Sequence, residues 1–172
     1  MLRSLLQRSA ETIFRVRWAV LGVTLMATLG RAEPRPQPRS TGEANKELVT
    51  KTLTAFIAGD VESAFANMAD DVTWLVPGNM AGVSGLKRGK VEILKFMTGT
   101  IGPAFPHGLQ ADVHHAYDEG NTVILELTNR GTAANGKQYE NEYCFVLEIG
   151  DGKIRRIREY VDTQKAKEIL FN

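Results

Sequence analysis

The chain has almost no cysteine, little histidine and almost no net charge. Cys144 is its one thiol in 172 residues, so no internal disulfide can form and cysteine usage is silent about compartment. It alternates with Tyr143 and Phe145 in a strand pattern, where a free cysteine acts as a small packing residue rather than a nucleophile. The three histidines, His107, His114 and His115, share no compact ligand spacing with it, which argues against a metal site. A formal charge of +1 gives no electrostatic footprint for nucleic acid. The stretch Gly85-Leu86-Lys87-Arg88-Gly89 lacks the strand–loop–helix setting of a phosphate cradle and reads as a turn into a helix, so no cofactor is expected.

Net charge is small overall but unevenly placed. Residues 1–40 hold Arg3, Arg8, Arg15, Arg17, Arg31, Arg35 and Arg39 against Glu11 and Glu33, with no lysine. Trp18 to Leu29 is apolar and uncharged, too short to span a bilayer comfortably, which takes about 20 residues. Its length suits a signal-peptide core with small residues after it, at Gly30 and Ala32. Residues 1–32 are therefore expected to be a signal, transit or membrane-tethering segment, and residues 33–44, with Pro34, Pro36 and Pro38, a linker. Export or tethering stands against two alternatives, an organellar transit peptide, or a cytoplasmic protein translated from Met26.

Residues 45–172 read as one domain. Leu48, Val49, Leu53, Phe56 and Ile57 recur at helical spacing and Gly59 ends that helix. Asp60 caps a second, with Val61, Ala64, Phe65 and Met68 on its apolar side and Asp70-Asp71 closing it. Val72 to Val76 is a strand stopped by Pro77-Gly78. A glycine-rich loop leads to a helix over residues 91–98, with Leu94 and Met97, or Ile93 and Phe96, inward. Strands follow at 109–117, 122–130, 138–149 and 154–162, with Asn135-Gly136 marking a hairpin. Asp162 caps a terminal helix over 163–170. Helices followed by an antiparallel meander predict an α+β fold with helices on one face of a curved sheet.

The last strand carries the sharpest chemical signal. Side chains alternate between faces with period two, so Ile157, Glu159 and Val161 share one face and Arg156, Arg158 and Tyr160 the other. A carboxylate between two β-branched residues on a buried face is costly unless paired or used. Desolvation there should raise its pKa above about 4.3, and a carboxylate so tuned serves as a base near neutral pH.

The segment Ala58-Gly59-Asp60 through Asp71-Val72-Thr73-Trp74, the Gly85/Gly89 loop, Asp151-Gly152-Lys153-Ile154 and Arg158-Glu159-Tyr160-Val161-Asp162 together resemble the SnoaL-like branch of the NTF2-like superfamily. That group includes ketosteroid isomerases, polyketide cyclases and limonene-epoxide hydrolases. The resemblance covers roughly residues 45–170. It implies a cone, three N-terminal helices packed on a strongly curved antiparallel sheet, with an apolar pocket in its mouth. The isomerase's donor tyrosine falls at Thr52, its general base at Val76 before Pro77, and its second oxyanion donor near Tyr143 or Cys144. Those groups are missing, and no Asp-Arg-Asp constellation of the epoxide hydrolases can be placed. The cyclases' catalytic acid falls at Glu159, while their assisting histidine falls at Phe145.

Strand parity adds further candidates. Tyr139, Asn141, Tyr143, Phe145 and Leu147 share an apolar face, so Asn141 and Tyr143 either orient a ligand or satisfy a backbone group or the Glu159 carboxylate. His115, sharing a face with Val113 and Tyr117, points inward either as a proton shuttle or as a hydrogen-bonded core residue. Trp74 is a pocket wall or core residue. The expected site is Glu159 as catalytic carboxylate, with Trp74, His115, Asn141, Tyr143, Ile157 and Val161 around a hydrophobic small molecule. Two function classes follow: proton transfer on a hydrophobic carbonyl compound (isomerisation, cyclisation or dehydration), or a non-catalytic ligand-binding or protein-interaction module. The resemblance also implies a homodimer through the outer sheet face, carrying Thr122, Ile124, Glu126, Thr128, Cys144 and Val146.

Overall fold

The computed structural model describes residues 41–171. The expected signal or tethering segment and most of the expected linker lie outside them. The end of that linker is helical, because helix α1 spans Thr41–Ile57. Tertiary anchors extend it beyond the apolar periodic stretch: Asn45 Nδ2 donates to the Gly120 carbonyl at 3.2 Å, and Lys46 pairs with Asp118 at 2.8 Å. After Gly59, whose φ of 74° suits a residue without Cβ, α2 spans Val61–Ala66, with Asp60 accepting from the Ser63 amide.

Strand β1 runs Met68–Val76, so Met68, Asp70 and Asp71 belong to a strand rather than to the end of a helix. Pairing decides this: Met68 lies opposite Ile154 of the last strand, and the Ile154 amide donates to the Asn67 carbonyl at 2.9 Å. Strand β2 (Gly85–Arg88) stands where a turn was expected and pairs antiparallel with β1. Helix α3 (Gly89–Phe96) buries Ile93 and Phe96, leaving Leu94 outward. It opens into a π-helical turn, Met97–Ile101, and a single turn α4, Gly102–Ala104.

Strands β3 (Leu109–Glu119), β4 (Thr122–Thr132), β5 (Gln138–Gly150) and β6 (Lys153–Val161) form the meander. Asp151 and Gly152 close β5 onto β6 with φ of 52° and 68°, as a two-residue hairpin turn requires. Helix α5 (Thr163–Leu170) starts where Asp162 accepts from the Gln164 and Lys165 amides. The six-stranded sheet has the order β2-β1-β6-β5-β4-β3. It is mixed rather than wholly antiparallel, since β1 runs parallel to β6. A parallel neighbour needs a long crossover, and nearly the whole domain supplies it.

The register of β3 overturns one expectation. Val113 pairs with Leu127 but His115 pairs with Glu126, leaving His114 as an extra residue. Such a bulge reverses the alternation beyond it. His115 therefore shares the outer, exposed face with Tyr117, its ring 5.6 Å from the tyrosine ring. It does not point inward with Val113.

Candidate functional site

The register places β6 between β1 and β5, with Ile157 opposite both Trp74 and Leu147, and Glu159 opposite Phe145. Glu159 thus lies on the inner face with Trp74, Ile157 and Phe145. Trp74 Nε1 donates to Glu159 Oε2 at 2.8 Å. The indole is itself wedged among rings, with centroids at 5.9 Å from Phe56, 6.4 Å from Phe96 and 6.3 Å from Phe145, all edge-on.

This setting changes the acid. Burial pushes the Glu159 carboxyl up from 4.5 to about 7, against the opposing pull of the Trp74 hydrogen bond and the Lys87 charge. The residue keeps part of its surface exposed. Among the described residues Arg158 Nε is the buried side-chain nitrogen or oxygen without a hydrogen-bond partner. Oε1 of Glu159 receives no hydrogen bond from a described residue.

A pocket of about 340 Å³ opens beside the indole, within the range of small-molecule sites, about 300–1,000 Å³. Its walls are apolar, from Leu53 and Phe56 of α1, Trp74 of β1, and Met97 and Ile101 of the π-turn, with Asn129 as a polar group. The wider π-turn, a feature that often marks functional sites, brings both Met97 and Ile101 to it. Leu53, Phe56 and Trp74 also line a smaller void of about 30 Å³ that reaches Phe145 and Ile157. This explains why the deepest stripe of α1 is Gly42, Asn45, Val49 and Thr52, whereas Leu53 and Phe56 are half-buried. Their apolar surface faces unfilled space. Glu159 does not itself line either space; Trp74, its hydrogen-bond donor, lines both.

Of the other expected site residues, Ile157 is buried and lines the smaller void, and Val161 packs on the edge of the core. Asn141 is buried and fully engaged. Its Nδ2 donates to the Asp162 carbonyl at 2.9 Å and to the Tyr139 phenol at 3.2 Å, and its Oδ1 accepts from the Glu142 amide at 3.0 Å. It braces the β6–α5 junction and makes no bond to Glu159. Tyr143 stacks on Phe145, centroids 5.8 Å apart, and shares a 2.6 Å hydrogen bond with Tyr139. Burial raises both phenols' pKa, so both stay protonated at neutral pH. Asn129, a site residue that sequence reasoning missed, acts on the Tyr143 phenol to lower its pKa against burial and reaches the pocket. Its position on the inner face of β4, opposite Asn141, was the available signal.

His115 lies outside this site. On the outer face, His114 Nε2 lies 2.7 Å from Thr128 Oγ1, which donates to Glu142 at 2.8 Å. Burial and the nearby Glu126 raise the Cys144 thiol's pKa, keeping it protonated and unreactive. Among the described residues no His, Cys, Asp and Glu cluster is placed to hold a metal ion.

Residues 49–157 match the model of the SnoaL-like domain. The chain belongs to the SnoaL-like domain family. An uncharacterized protein of Mycobacterium tuberculosis is 22% identical over 131 residues, covering 76% of this chain and 98% of its own. A solved NTF2-like protein from Burkholderia pseudomallei superposes with a TM-score of 0.69 at 22% identity, covering 75% of this chain and 98% of that one. TerC, co-crystallized with polyporic acid, gives 0.69 at 23%, covering 75% and 99%. At these identities the structures establish the NTF2-like fold of this SnoaL-like chain.

Proposed function

We propose that this SnoaL-like protein binds a hydrophobic carbonyl compound between α1 and the π-turn and moves a proton with Glu159. The observation that carries the reading is the 2.8 Å Trp74–Glu159 hydrogen bond at the pocket wall. It anchors one carboxylate oxygen and leaves the other without a described hydrogen-bond partner, on an acid whose pKa lies near 7. A base with that affinity is half ionised at neutral pH, so it can both take and return a proton. In the proposed step Glu159 removes a proton from the carbon next to the substrate carbonyl, and the electron pair moves onto the carbonyl oxygen. Tyr143, backed by Tyr139 and Asn141, or the Asn129 amide, donates to the resulting enolate. Glu159 then returns the proton at the new position, completing an isomerisation; in an aldol-type cyclisation the enolate carbon instead attacks a second carbonyl of the substrate, whose oxygen takes the proton from Glu159, and in a dehydration that proton leaves with a β-hydroxyl as water. TerC's co-crystallization with polyporic acid supports a small-molecule ligand for this fold.

That Trp74 lines the pocket while Glu159 does not favours a second reading, a non-catalytic binding module in which the carboxylate clamps the indole. Turnover of a panel of hydrophobic ketones by the full chain and by Glu159→Gln separates the two. Catalysis predicts a loss on the order of a hundredfold with ligand affinity kept. Equal turnover removes Glu159 as the base.

For the partner, we propose a second copy docked on the outer face. Ile124, Val146 and Arg158 align across that face, and Tyr117 and Tyr160 are exposed on it. The unpartnered Arg158 Nε lies in the same rows. A mixed apolar and polar patch suits a non-obligate interface. Light scattering at micromolar concentration should give a dimer, and Ile124→Glu a monomer; a monomeric wild-type chain refutes the proposal.

A further inference from the structure

Lys87 stands directly opposite Trp74 in the β1–β2 ladder. Directly opposed residues share a sheet face, so the lysine turns to the same side as the indole and Glu159. Edge-strand lysines ordinarily point to water; this one is half-buried. Its Nζ lies 4.1 Å from the centroid of the Phe96 ring, and donates to the Val83 carbonyl and, at 3.3 Å, to that of Gly85. Phe96 in turn meets Trp74 edge-on, and Trp74 holds Glu159. Among the described residues no carboxylate forms an ion pair with Lys87. Its charge is fixed by a ring face and two carbonyl dipoles, which is the geometry of a held field source rather than of a salt bridge.

We propose that Lys87 is a positioning residue that sets the proton affinity of Glu159 through space, its ammonium held on Phe96 and on the Val83 and Gly85 carbonyls. This rests on the reading of Glu159 as the proton-transferring group. The groups facing that carboxylate from each packed element leave Lys87 as the charge that acts on it. Strand β1 presents the neutral Trp74, which bonds the carboxylate and carries the uncharged Phe56 and Phe96 rings on its indole. On β6 its flanking neighbours are Ile157 and Val161. Strand β5 presents the neutral Phe145 directly opposite, with Tyr139 and Tyr143, protonated phenols that burial keeps neutral, further along the same face. The coupling runs both ways, because burial lowers the lysine's pKa while Glu159 raises it. Without Lys87, burial would act on the carboxyl with the Trp74 bond alone to oppose it.

Trp74 supplies a readout that needs no substrate, since its hydrogen-bond acceptor changes from carboxylate to carboxylic acid when Glu159 takes up a proton. The chain has two tryptophans, so Trp18→Phe in the full chain leaves Trp74 as the fluorophore. Titration from pH 5 to 9 should show one transition near neutrality, and Glu159→Gln in that background should abolish it. Lys87→Met should move the midpoint up by roughly 0.5–1 unit, and Lys87→Arg, which keeps the charge, should leave it in place. Lys87→Gln, which still donates to the two carbonyls, should shift it as Met does, and covers the case of a Met variant that does not fold. An unmoved midpoint in the Met and Gln variants overturns the role of Lys87 while leaving Glu159 as the titrating group. A transition that survives Glu159→Gln overturns both.

Discussion

Trp74 Nε1 and Glu159 Oε2 meet at 2.8 Å across 85 positions of sequence, tying β1 to its parallel neighbour β6. That bond determines how the acid is used. An indole N–H is donor only, so it stabilises the ionised carboxylate without offering it a proton. Burial outweighs this help and leaves the acid near neutrality. The domain therefore contains an ionisable group poised at working pH beside an apolar pocket.

The first prediction is a stability profile. The Glu159 pKa is about 7 when folded against an ordinary 4.5, so between those values the folded state binds the proton and the unfolded state does not. Its contribution to stability accordingly falls as pH rises from about 4.5 to 7 and is flat above that. With the residue partly exposed, the loss is on the order of 1–3 kcal/mol. Glu159→Gln should raise the urea midpoint at pH 8 and leave it nearly unchanged at pH 5. A variant destabilised equally at both would show that ionisation of Glu159 carries no such cost.

Asn141 should behave as a structural residue. Asn141→Ala leaves the Asp162 carbonyl and the Glu142 amide without their buried partner, and unsatisfied groups of that kind cost about 1–3 kcal/mol each. Chemical denaturation should show a loss of about 2–4 kcal/mol, with the Glu159 titration unmoved. A change under about 0.5 kcal/mol, within the range of ordinary surface substitutions, would contradict the bracing role.

Ligand occupancy of the pocket can be tested by filling it. Ile101 lines it from the π-turn, and Ile101→Trp adds bulk where there is space. Binding of a fluorescent apolar phenol such as 2-naphthol should weaken at least about tenfold, equivalent to 1.4 kcal/mol. Unfolding stability should change by less than about 1.5 kcal/mol. Undiminished binding would place the probe elsewhere.

Much of the architecture was legible because local chemistry and tertiary demand agreed. Asp60 and Asp162 cap the helices they were expected to cap, and Gly59 and the Asp151-Gly152 pair turn the chain where expected. The alternation of β5 and β6 also put Glu159, Phe145, Tyr143 and Ile157 on one face, since period two is a property of any extended strand. The failures share one cause. The β3 bulge that turns His115 outward, the parallel partner that draws Met68 into a strand, and β2 in place of a turn all depend on which backbone lies alongside.

What the sequence determined by itself was the family, through its resemblance to SnoaL-like segments, and the fold class and a carboxylate on an apolar strand face, which follow from periodicity and turn chemistry along the chain. Only the tertiary structure decided what surrounds that carboxylate. The Trp74 donor, the Lys87 charge and the engagement of Asn141 with Asp162 rather than Glu159 arise from strand order and register. Hydrogen bonds and desolvation depend on distances between residues far apart in sequence, and pairing is what makes them neighbours.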